Sequence, residues 1–197
     1  ELLGVYSVAR LLVALYTITE LDQAGVSAEQ MKAEGFDVDD LLNDYTIEEL
    51  LAHFTIAQMK EGGVLAAELK DEAKTVAELL GVYTVAELLV ALYSISELKA
   101  ASVTATQLKA EEKTVADLKV DYNIGELKVT FSIDELLVEF TFAQLRTGGV
   151  SASEMKTAGK LASELVDIYT EIELLDANYT FSDLKKGGVT VEQLKNN

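Results

Sequence analysis

The sequence holds no cysteine and a single histidine, His53, in 197 residues. Without cysteine there is no disulfide framework and no thiolate chemistry, and the redox compartment leaves no trace. Basic residues are scarce: 16 Lys and Arg stand against 34 Asp and Glu, for a net charge of −18 and a pI near 4.3. A binder of phosphate backbones or of an anionic bilayer needs a Lys/Arg surface, so no nucleic-acid partner and no anionic membrane are expected. No run approaches eighteen apolar residues, which excludes membrane insertion by a spanning helix. The first residues lack the basic stretch of a signal peptide, and the chain does not begin with Met, so this concerns only the residues present.

What the chain has in abundance is a repeat of nine or ten residues, approximately L-K-x-x-G-[YFV]-[ST]-[VIA]-x-[EQ], running through twenty units. In Thr46–Leu50 a Thr stands at the N-cap position and a Glu three residues later, the capping-box signature of a helix start. Eighteen of the twenty cap positions hold Ser, Thr, Asp or Asn, the exceptions being Leu65 and Leu161. The third residue after each cap is acidic or an amide except at Arg10, and the fourth is always Leu or Met. Before the cap stands Tyr, Phe or Val in most repeats, as at Tyr45, Phe54 and Val64, positioned as the hydrophobic staple of the N4 Leu. Gly two residues before many caps, as at Gly25, Gly63 and Gly149, supplies a left-handed stop for the preceding helix.

Helices of about seven residues are not stable alone in water, since isolated helices shorter than roughly 12–15 residues are marginal. Stacking between repeats must supply the stability, as in a solenoid. The predicted fold class is therefore all-α: a solenoid of about twenty very short helices. The residue before the cap returns to the same type every four repeats, with cap-to-cap steps of 39, 38 and 39 residues, so about four helices per coil turn are expected. Between Asn123 and Thr170 the step is 47, which marks one extra repeat near Phe131 and Phe140. Residues 1–21 match residues 78–98 closely, consistent with duplication of eight repeats. We expect a single repeat-solenoid domain over 1–197. Glu1 occupies an N3 position, so the chain starts inside a repeat. It is then either a fragment of a longer array or a solenoid whose open end docks on another copy, a heterologous contact that would build filaments.

Candidate chemistry is thin. Pairs such as Glu48 and Glu49 have the residue type for acid–base catalysis, yet most acids fall at N2 or N3, where they cap and favour the positive helix end. His53 has no second His or Cys to complete a metal or nucleophile set. Asp37, Asp39, Asp40 and Asp44 are the best hard-cation candidates, but they lack the EF-hand spacing, and Asp37 and Asp40 are cap residues. No phosphate-loop motif accompanies the Gly-Gly pairs at Gly62, Gly148 and Gly187, and the sequon at Asn178 coincides with the cap Thr180. Lysines after the N4 Leu, such as Lys32, Lys60 and Lys99, are expected on a solvated edge, opposing the carbonyl dipole. No catalytic, cofactor-binding or metal residues are assigned, and no cofactor is expected.

One position departs from this pattern. Directly after the N4 Leu, the residue is apolar at Leu12, Leu42, Leu51, Leu80, Leu89, Val166 and Leu175, interrupted by Lys119 and Lys128. These seven form a candidate interaction edge, unless that edge is simply more deeply packed. The motif [YF]-[ST]-x-x-E-L-K with Gly between repeats resembles the short-period, capping-box helical tandem repeats of large repeat proteins, over essentially the whole chain. That resemblance implies a solenoid and no particular activity. The function expected is a non-enzymatic structural or interaction scaffold with protein partners, further copies of itself included, able to self-assemble end to end. The alternative is a protein- or peptide-binding module using the apolar edge or the acidic surface.

Overall fold

A computed structural model describes residues 6–195, and the reading of Glu1 as an N3 residue lies outside them. The chain divides into two compact units, 1–102 and 103–197. The first holds α1 Val8–Val13, α2 Ile18–Gln23, α3 Ala28–Ala33, α4 Val38–Leu41, α5 Ile47–Leu51, α6 Ile56–Glu61, α7 Ala66–Asp71, α8 Val76–Leu79, α9 Val85–Val90 and α10 Ile95–Ala100. The second holds α11 Ala105–Ala110, α12 Val115–Leu118, α13 Ile124–Leu127, α14 Ile133–Leu137, α15 Phe142–Thr147, α16 Ala152–Thr157, α17 Ala162–Leu165, α18 Glu171–Asp176, α19 Phe181–Lys186 and α20 Val191–Lys195. There is no strand among the described residues, only an isolated bridge between Leu80 and Tyr83. The protein is an all-α solenoid of about twenty short helices.

Each helix starts where the capping pattern places it. At α5, the Thr46 hydroxyl accepts from the Glu49 N–H at 3.2 Å while Glu49 accepts from the Thr46 N–H at 2.8 Å. Leu65 and Leu161 carry no acceptor, so only half of the box forms: Glu68 and Glu164 each accept the cap N–H at 2.7 Å. Arg10 cannot reach back as a carboxylate does, and α1 keeps only the Ser7 half, at 3.4 Å.

Helix ends are of two kinds, and they account for the two repeat lengths. In ten-residue repeats a left-handed residue stands two before the next cap, as at Gly25 or Leu92 with φ of +87° and +62°. The flanking bonds are those of a Schellman turn: Tyr93 N–H reaches Leu88 C=O at 3.1 Å and Leu92 N–H reaches Leu89 C=O at 3.0 Å. Nine-residue repeats mostly lack that residue, and the chain turns with a tighter bond such as Tyr45 N–H to Leu41 C=O at 3.0 Å. The tenth residue is the left-handed one.

The core is a column of N4 residues, among them Leu50, Met59, Leu88, Leu127 and Leu174, each fully buried. Burying one such side chain contributes roughly 1.5–3 kcal/mol. No polar or charged residue is buried, and no buried side-chain polar atom lacks a partner among the described residues.

Contacts between layers run over short distances in sequence. Helices two apart pack directly: α4 on α6, α7 on α9, α16 on α18, α17 on α19. The buried Tyr hydroxyls follow the same step. Tyr45, Tyr83 and Tyr169 donate to the carbonyls of Val26, Val64 and Val150, each 19 residues earlier, at 2.8, 2.6 and 2.6 Å. Ring-bearing repeats therefore lie on Val- or Lys-bearing repeats two positions back. The four-repeat period in residue type accordingly spans two such contact steps, an aromatic pair of repeats followed by a Val/Lys pair.

The Gly-Gly pairs do two separate jobs. Gly63, at φ +92°, is a left-handed helix stop with open space around it, whereas a Cβ at Gly62 would sit 2.5 Å from Val38 Cβ on α4. Gly148 bears the same relation to Ile124 on α13. The first glycine lets two helices approach, and the second ends one of them.

Candidate interaction edge and the interlocking cations

All seven residues of the expected edge are half-buried. Leu12, Leu42, Leu51, Leu80 and Leu89 belong to the first unit, on or at the ends of α1, α4, α5, α8 and α9. Val166 and Leu175 belong to the second, and Val166 lies beneath Gly187 at the end of α19. They stand beside the fully buried N4 leucines and continue that packing outward.

The cations at the same repeat position do more than line a solvated edge. Lys60 on α6 reaches forward to the end of α8, where its ammonium donates to Val82 C=O at 2.9 Å. It also lies 4.8 Å from the Tyr83 ring centre and pairs with Glu87 at 2.8 Å. Lys109 repeats the arrangement on Thr130 C=O, Phe131 and Glu135, with ring and ion-pair distances of 4.5 and 2.9 Å. Arg146 does so on Ile168 C=O, Tyr169 and Glu173. Lys32 and Lys156 sit over Phe54 and Tyr179 and donate to the carbonyls of His53 and Asn178. Each cation thus opposes the C-terminal carbonyls of a helix two repeats further on, not those of its own helix. The signal was present in the sequence as a Lys or Arg 22 or 23 residues before an aromatic staple.

The perturbed titrations trace the same framework. Every described carboxylate held below its ordinary range is an N3 capping residue: Glu20, Glu49, Glu78, Glu87, Glu97, Asp117, Glu135, Glu154, Glu173 and Asp183. Glu87 and Glu135 fall to about 2, first because of the bond from Lys60 or Lys109 and then because of the cap bonds from Thr84 or Ser132. Burial pushes the phenols of Tyr45, Tyr83 and Tyr169 up to about 12.

The remaining candidates are dispersed into structural roles. Asp37 and Asp40 cap α4, Asp44 accepts from the Thr19 hydroxyl at 2.5 Å, and Asp39 is exposed. No group of three or more potential ligands converges among the described residues. His53 is half-buried, with its carbonyl taken by Lys32. Open grooves recur between layers. One of about 490 Å³ is lined by Lys109, Lys113, Val115, Phe131, Glu135 and Val138, and its counterpart of about 480 Å³ by Lys70, Lys74, Val76, Tyr93, Glu97 and Ala100. In the first, Lys109 and Glu135 are already paired with each other.

No helix among the described residues is long and apolar enough to cross a membrane. No protein-family model matches the chain, and neither a curated protein nor a solved structure matches it.

Proposed function

We propose that the chain is a non-enzymatic structural scaffold of the short-period capping-box type, and that it associates end to end with further copies of itself. The observation carrying this reading is that the perturbed titratable groups all sit at N3 or staple positions, where they hold helices together. Strongly shifted groups gathered in a cleft would favour catalysis. Here the shifts are spread along the coil, one repeat at a time.

The second reading, a module for a basic protein or peptide, is favoured by the charge of the first unit, where residues 20–49 hold ten acids and one base, Lys32. Sedimentation velocity over a hundredfold concentration range separates the two. A weight-average mass that rises with concentration supports assembly. A concentration-independent monomer that captures a basic partner in one-to-one ratio favours the binding module.

A further inference from the structure

The repeat shows what covers each of its own surfaces, and this identifies which surfaces are left uncovered. The staple ring is covered by the repeats before it: its hydroxyl donates to the carbonyl 19 residues earlier, and a cation 22 or 23 residues earlier lies over its face, as Val64 and Lys60 do for Tyr83 and Tyr93 has from Lys74 and Lys70. Tyr6 and Tyr16 occupy the same repeat position but are 44% and 39% exposed, with neither partner among the described residues. The residue after the cap is covered by the helix two repeats later, as Val38 is by Gly62 on α6. That position is buried or half-buried in α1 through α18. In α19 and α20 it holds Phe181 and Val191, which are 63% and 65% exposed.

Small residues show the same asymmetry. Ala91 and Ala177, at the covering position of α9 and α18, are buried, while Ala14 and Ala24, their equivalents after α1 and α2, are exposed. The two exposed faces are therefore the two halves of one contact that the solenoid makes repeatedly inside itself. One offers rings and small residues, and the other offers apolar side chains and a cation, Lys185, at the ring-covering position.

From this the geometry points to a second copy of the chain as the occupant: α19 and α20 of one copy dock on α1 and α2 of the next, with Phe181 and Val191 meeting the Tyr6–Tyr16–Ala14 face and Lys185 placed over Tyr6. This rests on the scaffold reading and names the surface it uses. The contact is heterologous, so each added copy leaves one face of each kind open. One detail departs from the internal pattern. Lys60 and Lys109 are completed by an N3 glutamate, but the N3 residue beside Tyr6 is Arg10. Lys185 thus meets a ring without its usual carboxylate, so this joint is weaker than an internal one.

The test uses two full-length variants, one with Tyr6→Ser and Tyr16→Ser, the other with Phe181→Ser and Val191→Ser. Each alone is expected to sediment as a monomer with wild-type helicity by circular dichroism. Mixed together they should form a one-to-one dimer and stop there, since the head variant retains an intact tail and the tail variant an intact head. Arg10→Glu in the otherwise unchanged chain should tighten association at least tenfold by restoring the carboxylate. If a serine variant loses its helicity, the Arg10→Glu chain and a Lys185→Glu chain, expected to associate at least tenfold more weakly, carry the test. If the native chain assembles but none of these changes alters it, this joint is wrong while self-assembly stands. If the native chain remains a monomer at every concentration, the scaffold reading fails with it.

Discussion

At the scale of single residues, much of the repeat is explained by where one group sits relative to a backbone terminus. The two glycines of a Gly-Gly pair make this testable, because they resist alanine for different reasons. At Gly62 the added methyl runs into Val38, so Gly62→Ala is expected to cost about 1–3 kcal/mol by overpacking. At Gly63 there is room but a left-handed backbone, so Gly63→Ala should cost about 1 kcal/mol. Urea midpoints of the two variants would check the order. The reverse exchange is expected to help. Leu92 holds a left-handed backbone and is exposed, and Leu92→Gly should stabilise the fold by about 1 kcal/mol. A loss of stability there would mean that the Leu92 side chain packs against something.

At the scale of the element, each helix has one turn or two, and its caps weigh as heavily as its packing. Leu65 leaves the Glu68 N–H without a side-chain acceptor. Leu65→Thr completes the box and should raise stability by about 1 kcal/mol, read by chemical denaturation. Acid should act through the other half of the box. Glu87 and Glu135 are ordinarily expected near 4.5 and are held at about 2 in the folded chain. Because the folded value is the lower one, their contribution is complete above the unfolded value and is lost as pH falls from about 4.5 towards 2. Denaturation midpoints should fall across that window, and Glu87→Gln, which keeps an acceptor but cannot titrate, should flatten the fall. For the buried tyrosines the sign is opposite: stability is complete below about pH 10 and declines as pH rises towards 12.

The helix starts were legible in sequence because a capping box is local: Thr46 and Glu49 lie three residues apart and satisfy each other. The contact step between layers was less legible. Residue types repeat every four units, while the bonds that join layers, Tyr83 to Val64 among them, run to helices two units back. A period in composition reports which repeats are alike, not which ones touch. The lysines were missed for the same reason, since Lys60 looks like a solvent-facing residue until the turn carrying Val82 and Tyr83 is placed over it. The candidate edge from Leu12 to Leu175 follows from the repeat position alone, and the structure places it half-buried beside the N4 column.

At the scale of the whole molecule, contacts between repeats reach two or three helices along and no further among the hydrogen bonds described, which span at most 27 residues. Stability is then close to a sum of repeats and nearest-layer terms. Scanning calorimetry should give an enthalpy larger than the van't Hoff value, because distant repeats need not melt together. The interlock of cation, ring and carbonyl is what joins one layer to the next, and it can be observed directly. In solution NMR of the full chain, nuclear Overhauser effects should connect the Tyr83 ring protons to the Lys60 methylenes and the Tyr169 ring protons to the Arg146 methylenes. Rings that show no such effect, and instead show effects only to residues 38 or 39 positions away, would contradict the two-repeat step on which the account rests.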